Sequence, residues 1–133
     1  MFFRNPVHLR HSADAMLSQA APVQNTWYPV LATQSRTTRL YLITVAVGTA
    51  NETLEVRILV DGLTISGAVN ATFGTAYSAY INYGISAESL SLVAGGRDVT
   101  YIVEGRNVSV DVRKTSATGA GALTAKVTYG TRY

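Results

Sequence analysis

Apolar and polar positions alternate along most of the chain. In residues 53–60, Leu54, Val56, Ile58 and Val60 share one face, and Thr53, Glu55 and Arg57 the other, with Leu59 the apolar exception. Successive side chains of a strand point to opposite faces, so a period of two marks a half-buried strand. Asp61-Gly62 comes next. That pair supplies the positive φ angles of a two-residue type I′ turn. Leu63, Ile65 and Gly67 then resume the alternation. The pattern predicts a β-hairpin over 53–69.

The same period recurs elsewhere. In residues 39–47, Tyr41, Ile43, Val45 and Val47 oppose Leu40, Leu42, Thr44 and Ala46. Both faces are apolar, which predicts a strand covered on both sides and lying in the sheet of the hairpin. Trp27, Tyr28, Val30 and Leu31 form an aromatic-rich strand, and Pro29 pushes it to an edge or a bulge. Trp27 fits a core or rim anchor better than a ligand platform. In residues 76–83, Tyr77, Ala79, Ile81 and Tyr83 oppose Ala76, Ser78, Tyr80 and Asn82. Further strands are expected around Leu90 and Leu92, over 98–104, over 107–113 with Val108, Val110 and Val112 inward, and over 123–129 with Leu123, Ala125, Val127 and Tyr129 inward. About nine strands at short, regular spacing predict an all-β antiparallel β-sandwich or barrel. The irregular stretch 70–76 is the expected crossing between sheets, which gives a jelly-roll or Greek-key-like order.

Residues 1–25 break the period. Phe2, Phe3, Val7 and Leu9 sit among Arg4, Asn5, Pro6 and His8 without order. Ser12 is a fitting N-cap, Ala13, Met16, Leu17 and Ala20 fall at i, i+3, i+4 and i+7, and Pro22 ends the run. The expected organisation is therefore an N-terminal arm, 1–25, carrying a short helix, and a sandwich domain, 26–133. Two adjacent phenylalanines suit an arm that docks, either on a partner subunit or on its own domain. Its partner-binding residues are taken as Phe2, Phe3, Arg4, Val7, Leu9, Met16 and Leu17.

Composition narrows the function classes. The chain of 133 residues suits one domain and has no cysteine, so neither a disulfide nor a thiolate metal site exists. Charged residues make up 14%, against roughly 25% in an ordinary domain. A surface that poor in charge fits a protein packed in an assembly. The net charge of +3 comes from scattered arginines and two lysines with no basic run, which argues against a nucleic-acid partner. No apolar run approaches the roughly 18 residues that span a bilayer, so no membrane partner is expected. The stretch 1–22 lacks the apolar core of a signal peptide. The sequons at Asn51, Asn70 and Asn107 read as chance matches.

Candidate chemistry is sparse. His8 and His11 with Asp14 have the spacing for a weak metal cluster on a helix, but polar spacers are the plainer reading. No Gly-x-Ser-x-Gly elbow occurs, and the paired glycines near 95 and 119 precede no helical pattern. No catalytic, cofactor-binding or metal residue is assigned, and the chain reads as a non-enzyme. Tyr28, Tyr80 and Tyr133 offer rings that stack on sugars if exposed; Tyr28 and Tyr80 are the ligand-binding candidates.

The run NTWYPVL…RLYLITVAVG…ETLEVRILVDG, within residues 25–62, resembles small β-sandwich structural proteins of tailed-bacteriophage virions. The resemblance implies a virion component, either a capsid decoration or cement protein or a tail or fibre module. It also implies assembly as a homo-oligomer, trimer favoured, terminal arms that clasp neighbours such as the major capsid protein, and no catalytic residues. The alternative is a receptor- or carbohydrate-binding sandwich of a phage tail or fibre.

Overall fold

The structure, a computed structural model, describes residues 11–48, 50–83, 88–95, 103–116 and 121–132, apart from the side chains of His11, Ser12 and Tyr83. Ten strands run through them: β1 (His11–Gln19), β2 (Tyr28–Thr33), β3 (Thr37–Val47), β4 (Glu52–Val60), β5 (Leu63–Ala71), β6 (Tyr77–Tyr83), β7 (Glu88–Ala94), β8 (Val103–Gly105), β9 (Val108–Lys114) and β10 (Leu123–Arg132). Sheet A has the order β1-β10-β3-β6-β7, with β8 also on β3; sheet B has the order β2-β9-β4-β5. All pairs are antiparallel.

The pairing is nested. β1 pairs with β10, β2 with β9, β3 with β8 and β4 with β5. Such a chain is one long two-stranded ribbon. It rolls up so that β10 also lies on β3 and β9 on β4, which is a jelly roll. The β6–β7 hairpin widens sheet A. The inward faces of the two sheets meet in one core. Leu40, Ile43, Val45, Leu123 and Val127 come from sheet A, and Leu54, Val56, Ile58, Val108, Val110 and Val112 from sheet B; all are nearly solvent-free. Each such side chain contributes about 1.5–3 kcal/mol by burial.

The hairpin stands as the sequence predicts it. Asp61 (φ 49°) and Gly62 (φ 90°) form its turn, and β4 and β5 pair from Val60↔Leu63 to Glu52↔Ala71. Its placement differs from expectation: it belongs to sheet B, whereas β3 belongs to sheet A. In a jelly roll the β3–β4 connection passes between sheets, so neighbours in sequence do not pair. The stretch 70–76 does carry the chain from sheet B back to sheet A. Pro29 lies in an edge strand, and the β2–β9 register shifts between Pro29 and Leu31.

Two expectations are corrected. Leu42 pairs with Thr128 and Leu40 with Tyr129, so Tyr41 is an extra residue in the ladder. A bulge reverses the parity of what precedes it. Leu40, not Tyr41, therefore joins Ile43 and Val45 in the core. The expected helix in the arm is also absent: residues 11–19 are β1, paired with β10 along their whole length. Strand pairing thus covers His11–Gln19. A single short helix is marginal by itself, and the edge of β10 offers a full ladder of hydrogen bonds instead. Ala15 and Leu17 turn inward against the core, and Asp14, Met16 and Ser18 turn outward.

Candidate functional site

The outer face of sheet A carries a groove across β1, β10 and β3. Register aligns three rows on that face: Asp14–Thr128–Leu42, Met16–Lys126–Thr44 and Ser18–Thr124–Ala46. The cavity between them is about 630 Å³. Met16, 75% exposed, stands on one side and Leu42 and Ala46 on the other, with Lys126 and Thr124 of β10 between them. One end of the groove is polar and tied down. Thr128 donates a hydrogen bond to Asp14 at 2.8 Å, and the Lys126 ammonium stands 3.4 Å from the same carboxylate. The Thr128 hydroxyl and then the Lys126 charge hold the Asp14 carboxyl below the usual carboxylate range.

The outer face of sheet B is closed by its own charges. Glu55 sits opposite Arg113, and Arg57 opposite Asp111, on β4 and β9. The pairs close at 2.6 Å and 2.7 Å. The Trp27 ring lies against both guanidiniums, 4.1 Å from that of Arg57 and 4.4 Å from that of Arg113. Trp27 is thus a rim anchor, as its sequence context suggests. The sequence holds the signal for this quartet: Glu-x-Arg on β4 and Asp-x-Arg on β9 match only when the strands run antiparallel.

At one end of the sandwich a polar cavity of about 330 Å³ is lined by Asn51, Glu52, Thr53, Asn70, Ala71, Thr72 and Ser116. Glu52, one of its lining residues, is buried beside the buried Lys114, with Lys114 Nζ 3.9 Å from Glu52 Oε2. The Ser116 hydroxyl donates to Glu52 Oε1, and Thr53 N–H donates to Ser116 Oγ at 3.0 Å. This pair was not singled out in the sequence, although Glu52 and Lys114 continue the inward parity of Leu54 and Val112. Its geometry ties β4 to the start of the β9–β10 connection.

Of the sequence-predicted partner residues, Met16 is the most exposed large apolar side chain of the described residues, while Leu17 packs against the core. Phe2, Phe3, Arg4, Val7 and Leu9 lie outside the described residues, as do His8 and Tyr133. Asp14, the carboxylate of the weak metal cluster, is engaged by Thr128 and Lys126, and no cluster of three metal-ligating side chains occurs among the described residues. Tyr28 packs on the core, and its hydroxyl accepts the Val23 N–H at 2.8 Å. Tyr80 is half-buried, with its hydroxyl out of solvent contact. The structure does not bring the two tyrosines together: Tyr28 is on sheet B and Tyr80 on sheet A.

No protein-family model matches the chain, and no curated protein matches it in sequence. Among solved structures it is similar to a chain of the acidic stable capsid of Helicobacter pylori bacteriophage KHP30, with 13% identity, a TM-score of 0.47, and coverage of 92% of this chain and 90% of that one. It is also similar to the virus-like particle of the Macrobrachium rosenbergii extra small virus, at 11% identity, a TM-score of 0.36, and coverage of 98% and 86%. A third likeness is to infectious bursal disease virus, Gt strain, at 14% identity and a TM-score of 0.34, covering 91% of this chain and 32% of that one.

Proposed function

We propose that the protein is a non-catalytic structural subunit of a virion. In this reading it is a capsid decoration or cement subunit that forms a homo-oligomer, trimer favoured, and packs on other virion proteins such as the major capsid protein. The observation that carries the packing role is the open groove on the outer face of sheet A, where Met16 is 75% exposed beside Leu42, Ala46 and Lys126 of the same lining. The virion assignment rests on the resemblance of residues 25–62. The charges support a packing role over a catalytic one. Asp14, Glu52, Glu55, Asp61, Glu104 and Asp111 are each engaged within the fold. A low-charge surface that spends its carboxylates internally has little to repel neighbours. The glycan-binding alternative draws on Tyr28 and Tyr80, whose hydroxyls are turned to the fold rather than presented.

Light scattering on the full chain and on residues 11–133 tests the packing role. The expected result is a defined oligomer for the full chain and a folded monomer for the truncated one. A full chain that stays monomeric across the accessible concentration range overturns it. Peptide mass spectrometry on purified virus particles from the source checks the virion assignment.

A further inference from the structure

The charges of the described residues sort by place. Arg39–Glu104, Arg57–Asp111, Arg113–Glu55, Lys114–Glu52 and Lys126–Asp14 close as ion pairs within the fold. Arg36, Arg106 and Arg132 stand outside those pairs, and all three are exposed. They are scattered in sequence and meet at one end of sheet A. Arg132 closes β10 opposite Thr37, the first residue of β3. Arg36 precedes Thr37, and its N–H donates to the Arg106 carbonyl at 3.1 Å. The Arg106 guanidinium donates to the Ser35 carbonyl at 3.3 Å. Neighbouring strands lie roughly 5 Å apart, so the three side chains leave from adjacent positions. Asp61 is at the same end, but its carboxylate takes the main-chain N–H groups of Arg106 and Asn107, at 3.0 and 2.8 Å. Like charges placed side by side repel, and they stabilise nothing in the isolated fold. Resting on the packing role proposed above, we propose that this arginine end docks a carboxylate-rich surface of a different protein.

A second copy does not supply that surface. Among the described residues, Glu88 alone is a carboxylate outside the ion pairs and main-chain bonds above, one against three arginines. A protein also fits better than a phosphate backbone. Thr38 and Leu40 are buried, so Thr37 and Arg39 turn to the outer face of sheet A, with Arg132 opposite Thr37. The same face carries Leu42 and the exposed Met16. Protein interfaces join an apolar patch to a polar rim, whereas a phosphate backbone offers nothing to the apolar part. The guanidinium fork matches a carboxylate through two parallel hydrogen bonds. Exposed pairs are individually weak, so the end acts through their number and by speeding encounter.

The test uses the full chain at low ionic strength, with labelled poly-L-glutamate and a labelled single-stranded oligodeoxynucleotide as probes read by fluorescence anisotropy. The triple variant Arg36→Gln, Arg106→Gln, Arg132→Gln is expected to bind poly-L-glutamate about tenfold more weakly. Added salt should weaken the natural chain more than the variant. Lys126→Gln, whose ammonium already faces Asp14, is expected to change binding less than about twofold. Where the triple variant fails to fold, the single variants carry the test, each expected to weaken binding about twofold. Poly-L-glutamate bound equally by the natural chain and the arginine variants, or by neither, overturns the inference. An oligonucleotide bound more tightly than poly-L-glutamate through the same arginines gives the site to a phosphate backbone and overturns it too. Light scattering separates this result from the packing role. A chain that forms a defined oligomer yet ignores poly-L-glutamate sinks this inference alone. One that binds the polymer through the arginines yet stays monomeric sinks the homo-oligomer and leaves the arginine end standing.

Discussion

At the scale of single residues, burial decides what a charge does. Glu52 and Lys114 form a buried ion pair, and removing one partner takes the opposite charge from beside the other. Glu52→Ala should cost about 3 kcal/mol in chemical denaturation. The double variant with Lys114→Met should recover much of that loss, since an apolar pair leaves no charge to bury. Asp14 is exposed, and its effect appears in acid. Its folded pKa lies below the ordinary value of 3.8. Its contribution is therefore complete above the unfolded pKa and is lost as pH falls through the lower folded one. The melting temperatures of the natural chain and of Asp14→Asn should differ at neutral pH and converge as pH falls through the lowered folded pKa of Asp14.

At the scale of elements, β1 shows tertiary pairing overriding a local pattern. Its sequence HSADAMLSQ carries both periods. Met16 and Leu17 belong together on a helix, but on a strand they part, Leu17 to the core and Met16 to the groove. That separation leaves Met16 exposed. It also means that residues 11–19 cannot be removed as a dispensable arm. Deleting residues 1–10 should lower the denaturation midpoint only at concentrations where the full chain is assembled. Deleting residues 1–21 should lower stability by about 2 kcal/mol or more through loss of Leu17 packing alone. It should also promote aggregation, because β10 becomes an open edge. Urea titrations of the two truncations, with turbidity recorded, separate these outcomes.

At the scale of the whole molecule, the nested ribbon makes most pairings distant in sequence. His11 meets Thr131, and Tyr28 meets Val112. Loop closure precedes the gain from such contacts, so folding should take milliseconds to seconds. Trp27 is the only tryptophan and rests on Arg57 and Arg113, from β4 and β9. Its fluorescence in stopped-flow refolding should follow the assembly of sheet B. A microsecond phase carrying the full amplitude would contradict a mechanism limited by distant pairing. The finished roll has a closed outer face on sheet B, tied by its ion pairs, and a face on sheet A that holds the open groove. Assembly is expected on the second.

By itself the sequence determined the local terms. Period-two alternation marked nearly every strand, Asp61-Gly62 set a turn that only positive φ angles permit, and Pro29 marked an edge. These depend on neighbours within a few residues, which a linear reading contains. Tertiary structure decided the remainder. It moved the hairpin to the sheet opposite β3 and bulged Tyr41 so that Leu40 faces the core. It made residues 11–19 a strand because the edge of β10 was there to pair with. It also turned Met16, Leu42 and Ala46 into one groove. Residues that far apart become neighbours only through register between strands, and register is set by partners that alternation along the chain does not name.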